Sequence, residues 1–355
     1  MQTFFSPGRT ELAGNHTDHQ RGRILAAAVT AGITARVTPR ADETVIIRSE
    51  GFAPFTVEFS ELSPRVEETG SSAALVRGVA AAISARGGRL CGFEAELTTT
   101  IPPGGGLSSS AAFEILMGRI WNGLCGNGCD DLTLALMGQE AENRHFGKPS
   151  GLMDQIACAT KGAVYVDFST MEVRPIAADF EGLGYILSLT DTGGSHAGLT
   201  DAYAAVPGDM RAVAAALGGE TLSDVPEARF RARRQTGPAW DRAAHYYDEN
   251  RRVPQMAQAL SLGEIETYLR LMNESGRSSE TLLRNIRTPE GDDRLQRGLW
   301  LAEQLLRGRG AWRVHGGGFA GCVQALTKKE DYPAYRAAME AEFGAGSCKE
   351  IQIFR

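Results

Sequence analysis

The stretch PPGGGLSSSA, Pro102 to Ala111, stands between an alternating run ending in ELTTTI and a helix-periodic run with Ala112, Leu116, Ile120 and Leu124 at i, i+4 spacing. The order is strand, glycine loop, helix start. Three consecutive glycines, Gly104 to Gly106, can take positive φ and let the backbone approach a ligand closely. The unpaired N–H groups of the helix start draw anions, and the hydroxyls of Ser108, Ser109 and Ser110 can cap the helix, bind phosphate or ligate Mg²⁺. A flexible turn with an N-cap serine is the plainer alternative, but the Pro-Pro lead-in and serine triplet at a helix N-terminus favour a phosphate site. The GK[ST] ending of a P-loop is absent, as is the acidic residue of a dinucleotide fingerprint.

Strand-like runs are expected at Thr44 to Ser49, Phe55 to Phe59, Phe93 to Thr99 and Gly162 to Phe168, with helices at Ala73 to Arg86, Ser109 to Leu124 and Leu132 to Phe146. A second unit opens with Tyr185 to Leu189, continues through a helical stretch from Pro226 to Asn285, and closes with strands at Cys322 to Thr327 and Glu350 to Phe354. Strands and helices are segregated rather than strictly alternating, which predicts an α+β fold and not a doubly wound sheet. Length predicts two domains, 1–174 and 175–355.

With 355 residues, 43% apolar and 23% charged, the chain has material for packed cores, and its net charge of -6 with no basic run argues against nucleic acid or an anionic membrane as partner. The most apolar run, Ile24 to Val37, is interrupted by Thr30, Gly32 and Thr34 and is too short to span a bilayer, so a cytoplasmic protein is expected. Six scattered cysteines read as reduced thiols, and Cys125 with Cys129 lacks the further ligands of a zinc site.

Three other segments carry chemistry. SPGRTELAGNHTDHQRG, Ser6 to Gly22, is a polar, glycine-punctuated loop dense in hydrogen-bonding groups, suited to a sugar's hydroxyls; a solvated loop and a metal cluster of His16, Asp18 and His19 are the alternatives. GKPSGLMDQ, Gly147 to Gln155, has one acid, Asp154, which by itself reads as a cap or turn residue. VHGGGFAGCVQAL, Val314 to Leu326, by itself reads as a tight turn feeding a buried strand.

Taken together and in order, these segments resemble the galactokinase family of the GHMP kinases, from Ser6 to Leu326. PPGGGLSSSA resembles that superfamily's ATP loop, and the resemblance implies a two-domain GHMP fold with the active site between the domains. It also implies nucleotide contacts from Pro103, Gly104, Gly105, Gly106, Leu107, Ser108, Ser109, Ser110 and Gly317, with Mg²⁺ on Ser110 and Glu142. In the first segment Gly8, Arg9, Leu12, Gly14, His16, Thr17 and Asp18 match the family's sugar signature, whereas Thr10, Glu11, Ala13, Asn15, His19 and Gln20 depart from it. The resemblance makes Arg9 the group that stabilises the transferred phosphoryl and Asp154 the acid facing the anomeric hydroxyl. Asn15, His16, Asp18, Gly151 and Tyr203 become sugar contacts, and His196 a weaker one. Asn15 stands where the family has a glutamate for the sugar's 6-hydroxyl, and an amide there would also tolerate a 6-carboxylate. The first motif lies closer to Met1 than is usual in the family, so a trimmed or misassigned N-terminus is expected.

The implied activity is ATP- and Mg²⁺-dependent phosphorylation of a monosaccharide at its anomeric oxygen, most readily galactose, with galacturonate, arabinose or N-acetylgalactosamine as alternatives. A monomer or weak homo-oligomer is expected. A sugar sensor without turnover is the contrasting reading; retention of Ser110, Ala111, Arg9 and Asp154 favours the enzyme.

Overall fold

The computed structural model describes residues 1–102, 104–194 and 198–354, so Pro103 and His196 lie outside the described residues. Its first sheet is built on two long strands, β1 (Gln2–Ala13) and β2 (Arg23–Arg40), paired antiparallel. β3 (Thr44–Ser49), β4 (Phe55–Glu58), helix α1 (Ser72–Ala85) and β5 (Gly92–Thr99) follow. After the glycine loop come α2 (Ser109–Cys125), α3 (Asp131–Ala141) and α4 (Met153–Ala159), then β6 (Ala163–Asp167) and β7 (Glu172–Ile176). The strand order is β4-β3-β5-β2-β6-β7, with β1 paired to β2; β3 and β5 are parallel, and the other pairs are antiparallel.

Strand β2 changes partner along its length. Arg23 to Ala27 pair with β6 and Ile33 to Arg40 with β5, so Thr30 and Gly32 of the polar break fall where the strand passes from one neighbour to the other, and Thr34 already pairs with β5. One face of this sheet packs on α1 to α4 through Val79, Leu116, Ile120, Trp121 and Ile156. The helices end on physical signals: Asp130 caps α3 by accepting the Thr133 N–H at 2.8 Å, and Gly126, in left-handed geometry, stops α2.

The second sheet, ordered β11-β8-β10-β9, contains β8 (Tyr185–Asp191). It is followed in the chain by α5 (Thr200–Ala216), α6 (Glu227–Arg233), α7 (Pro238–Leu262), α8 (Ile265–Ser278) and α9 (Arg294–Leu306). The chain closes with β9 (Ala311–His315), β10 (Cys322–Lys328), α10 (Tyr332–Phe343) and β11 (Cys348–Glu350). Helices α7 and α8 pack across Tyr268, Met272 and Met256, while α9 and α10 cover β9 and β10 through Ala302, Val323 and Met339.

Two expectations are corrected. Ser6 to Ala13 is strand, not loop, because its backbone pairs with β2; only 14–22 turn away from the sheet. Glu350 to Phe354 is not a strand of its own: β11 ends at Glu350, and beyond it Ile353 makes a single bridge to Val29. The chain passes from the first sheet to the second between Ile176 and Tyr185.

Candidate active site

Arg9 is delivered by β1, at an irregularity in register between Pro7 and Arg9. Its N–H donates to the Leu107 carbonyl at 3.0 Å, which ties the strand to the glycine loop. Its guanidinium grips Asp154 in a two-pronged ion pair, Nε to Oδ1 at 2.7 Å and Nη2 to Oδ2 at 3.0 Å, while Nη1 donates to the Gly106 carbonyl at 2.5 Å. Asp154 sits in the first turn of α4, and its Oδ2 also accepts the Ser108 hydroxyl. Burial works to raise the Asp154 pKa, but the charge and hydrogen bonds of Arg9, with Lys148 and Ser108, prevail and hold the carboxyl below its ordinary range. For Arg9 the balance runs in parallel: burial lowers its pKa, and Asp154 more than restores it.

The glycine loop presents an open helix end. Ser108 takes left-handed geometry with φ 53° before α2 and spends its hydroxyl on Asp154, so no side chain caps the first turn. Gly104 and Gly106 have φ of 70° and 67°, conformations that glycine alone adopts without strain. A 17-residue helix with uncapped N–H groups fits the phosphates of a nucleotide.

Beside it lies a second cluster. Glu142 follows α3 in a single π-helical turn; its Oε1 meets Ser110 Oγ at 3.3 Å and Lys148 Nζ at 2.8 Å, and its Oε2 accepts from Ser150 Oγ at 2.5 Å and Gln155 Nε2 at 2.9 Å. An ammonium already drawn to Oε1, with a hydroxyl beside it, marks a cation position of hard oxygens, a donor set that fits Mg²⁺. Gln155 also donates to Glu114 at 3.0 Å, whose pKa is pushed up to about 8 by burial and by the neighbouring Glu142 charge.

Between β1 and β2, Asp18 opens a short 3₁₀ turn, and its Oδ1 accepts the His19 N–H at 2.9 Å. Burial and then the charge of Asp154 push its pKa up to about 6. His16, at φ 57°, bonds through Nε2 to the Gly317 carbonyl at 3.0 Å and through Nδ1 to His19 Nε2 at 3.2 Å. Burial draws the His16 pKa down to about 4, so the ring is neutral at physiological pH. The two histidines are thus occupied with each other and with backbone, and among the described residues no group of three or more His, Cys, Asp or Glu gathers to hold a metal. Tyr203 donates to the Gly318 carbonyl at 2.9 Å, and its ring lies against Gly317, where a Cβ would come within 2.6 Å of it.

Asn15 is buried, and its amide is taken up by protein: Nδ2 donates to the Gly316 carbonyl at 2.6 Å and to Glu11 at 3.2 and 3.3 Å, and Oδ1 accepts from Asn285 at 3.1 Å and Ser279 at 3.3 Å. Glu11 pairs with the buried Arg313, which also lies 4.0 Å from Glu249; Glu249 accepts the Gly14 N–H at 3.0 Å and pairs with Arg252. This network joins the sugar segment to β9 and α7. Glu249, Asn285, Arg313 and His315 escaped the reading of the sequence, because their contacts with the Glu11 to Asn15 segment join distant parts of the chain.

Arg9, Asp154, Ser108, Gly106, Ser110 and Glu142 therefore come together around the loop, and His16, Gly317 and Tyr203 around the second glycine loop. Comparison with known proteins gives the chain's relatives. Residues 74–162 match the GHMP kinases N terminal domain, and residues 2–39 match the galactokinase galactose-binding signature. A galactokinase of Streptomyces coelicolor is 30% identical over 98% of this chain and 90% of that protein. The crystal structure of Lactococcus lactis galactokinase complexed with galactose superposes with a TM-score of 0.88 at 25% identity, covering 99% of this chain and 93% of that one. The Methanococcus jannaschii mevalonate kinase shares the fold, with a TM-score of 0.70 at 16% identity over 100% and 98% of the two chains.

Proposed function

The chain belongs to the galactokinase family of the GHMP kinases, and from that premise we propose that it transfers the terminal phosphoryl group of ATP to the anomeric oxygen of galactose. The observation that carries the reading is the Arg9–Asp154 ion pair, anchored to the phosphate loop at Gly106 and Ser108. It sets a hydroxyl-binding carboxylate and a phosphoryl-stabilising cation side by side at an open helix N-terminus.

In this reading Asp154 accepts a hydrogen bond from the anomeric hydroxyl and aims its oxygen at the phosphorus. A carboxylate held below its ordinary pKa is a weak base, so it orients the hydroxyl and receives the proton late, as suits a loose phosphoryl-transfer transition state. Arg9 fixes that carboxylate and turns its remaining positive field toward the transferring group. Mg²⁺, held by Glu142 and Ser110, would offset charge on the phosphate oxygens. Asp18, His16, Gly151 and Tyr203 line the sugar end, and Asn15 acts there by holding the Gly316 carbonyl and Glu11 in place. The active site lies between the unit built on the first sheet and the unit built on the second.

Among the described residues no helix is long and apolar enough to cross a membrane. Six free cysteines support a reducing, cytoplasmic setting. A coupled ADP-release assay with galactose, galacturonate, arabinose and N-acetylgalactosamine side by side tests the assignment. Turnover with galactose is expected, and no sugar-dependent ADP release would overturn it.

A further inference from the structure

His315, the last residue of β9, is only 4% exposed and lies directly under the phosphate loop: a Cβ added to Gly106 would stand 3.1 Å from its Nδ1. The proton on this ring is fixed by its other nitrogen. The Glu11 N–H donates to Nε2 at 3.2 Å. Thr10 Oγ1, 3.1 Å from the same nitrogen, accepts from Gln324 at 2.9 Å and so has its own proton to give. With donors arriving at Nε2, the neutral ring carries its hydrogen on Nδ1. Burial, and then the positive charges of Arg9 and Arg313, oppose a second proton.

Among the described residues that Nδ1–H has no partner, although it is buried and faces Gly106. Buried donors are ordinarily satisfied, and one left open beside a phosphate loop has its partner supplied by what binds there. Arg9 Nη1 converges on the same residue through the Gly106 carbonyl, which assigns the open donor to the reacting end of the nucleotide. Resting on the function proposed above, we propose that His315 donates its Nδ1–H to an oxygen of the terminal phosphoryl group, so that the second sheet as well as the helix N-terminus recognises ATP. A neutral donor at this point selects for the terminal phosphate without adding to the charge already supplied by Arg9.

The test compares affinities for a non-hydrolysable ATP analogue with an imido β–γ bridge and for ADP, both with Mg²⁺, by calorimetry on the full chain. His315→Gln keeps an amide on the Nε2 side and loses the Nδ1 donor, whereas His315→Asn can place an amide N–H near the Nδ1 position. The preference for the analogue over ADP should fall about tenfold in H315Q, and in H315A if it folds, and return toward the wild-type value in H315N. An unchanged preference in H315Q, or equal losses of both nucleotides, would overturn the inference, the latter by making His315 a mere prop for the loop. Galactose-dependent ADP release by the wild type reads the parent assignment separately, which can stand while this one falls.

Discussion

The carboxylate of Asp18 fills the space that a side chain at Gly151 would need: an ideal Cβ on Gly151 would lie 1.8 Å from Asp18 Oδ2. Two segments 133 positions apart are thereby locked together at the sugar end. Gly151→Ala must displace Asp18, and we expect at least about a tenfold loss of galactose affinity with nucleotide affinity nearly unchanged. Calorimetric titration with each ligand checks the split.

Replacing Asp154 by Asn removes the charge that pairs with Arg9 and one of the two oxygens that accept from Arg9 and Ser108, without changing side-chain volume. Turnover should drop by about a thousandfold while ATP binding persists. A D154N protein with near-normal kcat would show that the acid neither orients nor deprotonates the hydroxyl.

The two carboxylates at the reacting end titrate apart. Asp154 is held below 3.8 and stays ionised through the working range, whereas Asp18, raised to about 6, gains its proton as the pH falls. The Michaelis constant for galactose should therefore rise as pH falls through 6, and Asp18→Asn should flatten that limb. Stability has the opposite sign for Asp18: the folded state binds the proton more tightly than the unfolded chain, so its contribution grows as pH falls from about 6 toward 4. Asp154 behaves conversely, and its contribution is lost only on further acidification, below its unfolded value of 3.8. Urea midpoints of wild type and D18N across this window measure the difference.

Glu142→Gln weakens the oxygen that faces both Ser110 and Lys148. The Mg²⁺ concentration for half-maximal nucleotide binding should rise by about tenfold or more. Manganese titration followed by electron paramagnetic resonance reads this directly, apart from turnover.

Glu249 is wholly buried among Arg252, Ser275, Arg313 and the Gly14 N–H. Glu249→Ala takes from Arg252 its nearer carboxylate, leaving Glu274 at 3.8 Å, strips the Gly14 N–H of its acceptor, and should cost about 3–5 kcal/mol. A shifted urea midpoint with an unchanged slope would report it.

The glycine loop and the helix behind it were legible in the sequence because their determinants are local: glycines at positive φ, serines at a helix start and an apolar stripe all lie within Pro102 to Leu124. The segment from Ser6 to Ala13 was not, since Ser6, Arg9, Thr10 and Glu11 are buried polar residues, and a strand whose inward positions carry function loses the alternation by which strands are recognised. The pairing of Glu11 with Arg313 was equally hidden, being a contact across the whole chain rather than a pattern within it. Asn15 was readable as a departure from the family. Its engagement with Gly316, Ser279 and Asn285 depends on the tertiary fold.

The segment after α10 stitches the two sheets. Cys348 to Glu350 pair with β8, and a few residues later the Thr30 N–H donates to Gln352 and the Phe354 N–H to Ala28, in the middle of β2. A strand thus waits for a partner that lies 322 positions further along the chain, from Thr30 to Gln352. Until that segment docks, the Thr30 N–H and the Ala28 carbonyl lack these partners, leaving a short open edge in the middle of β2.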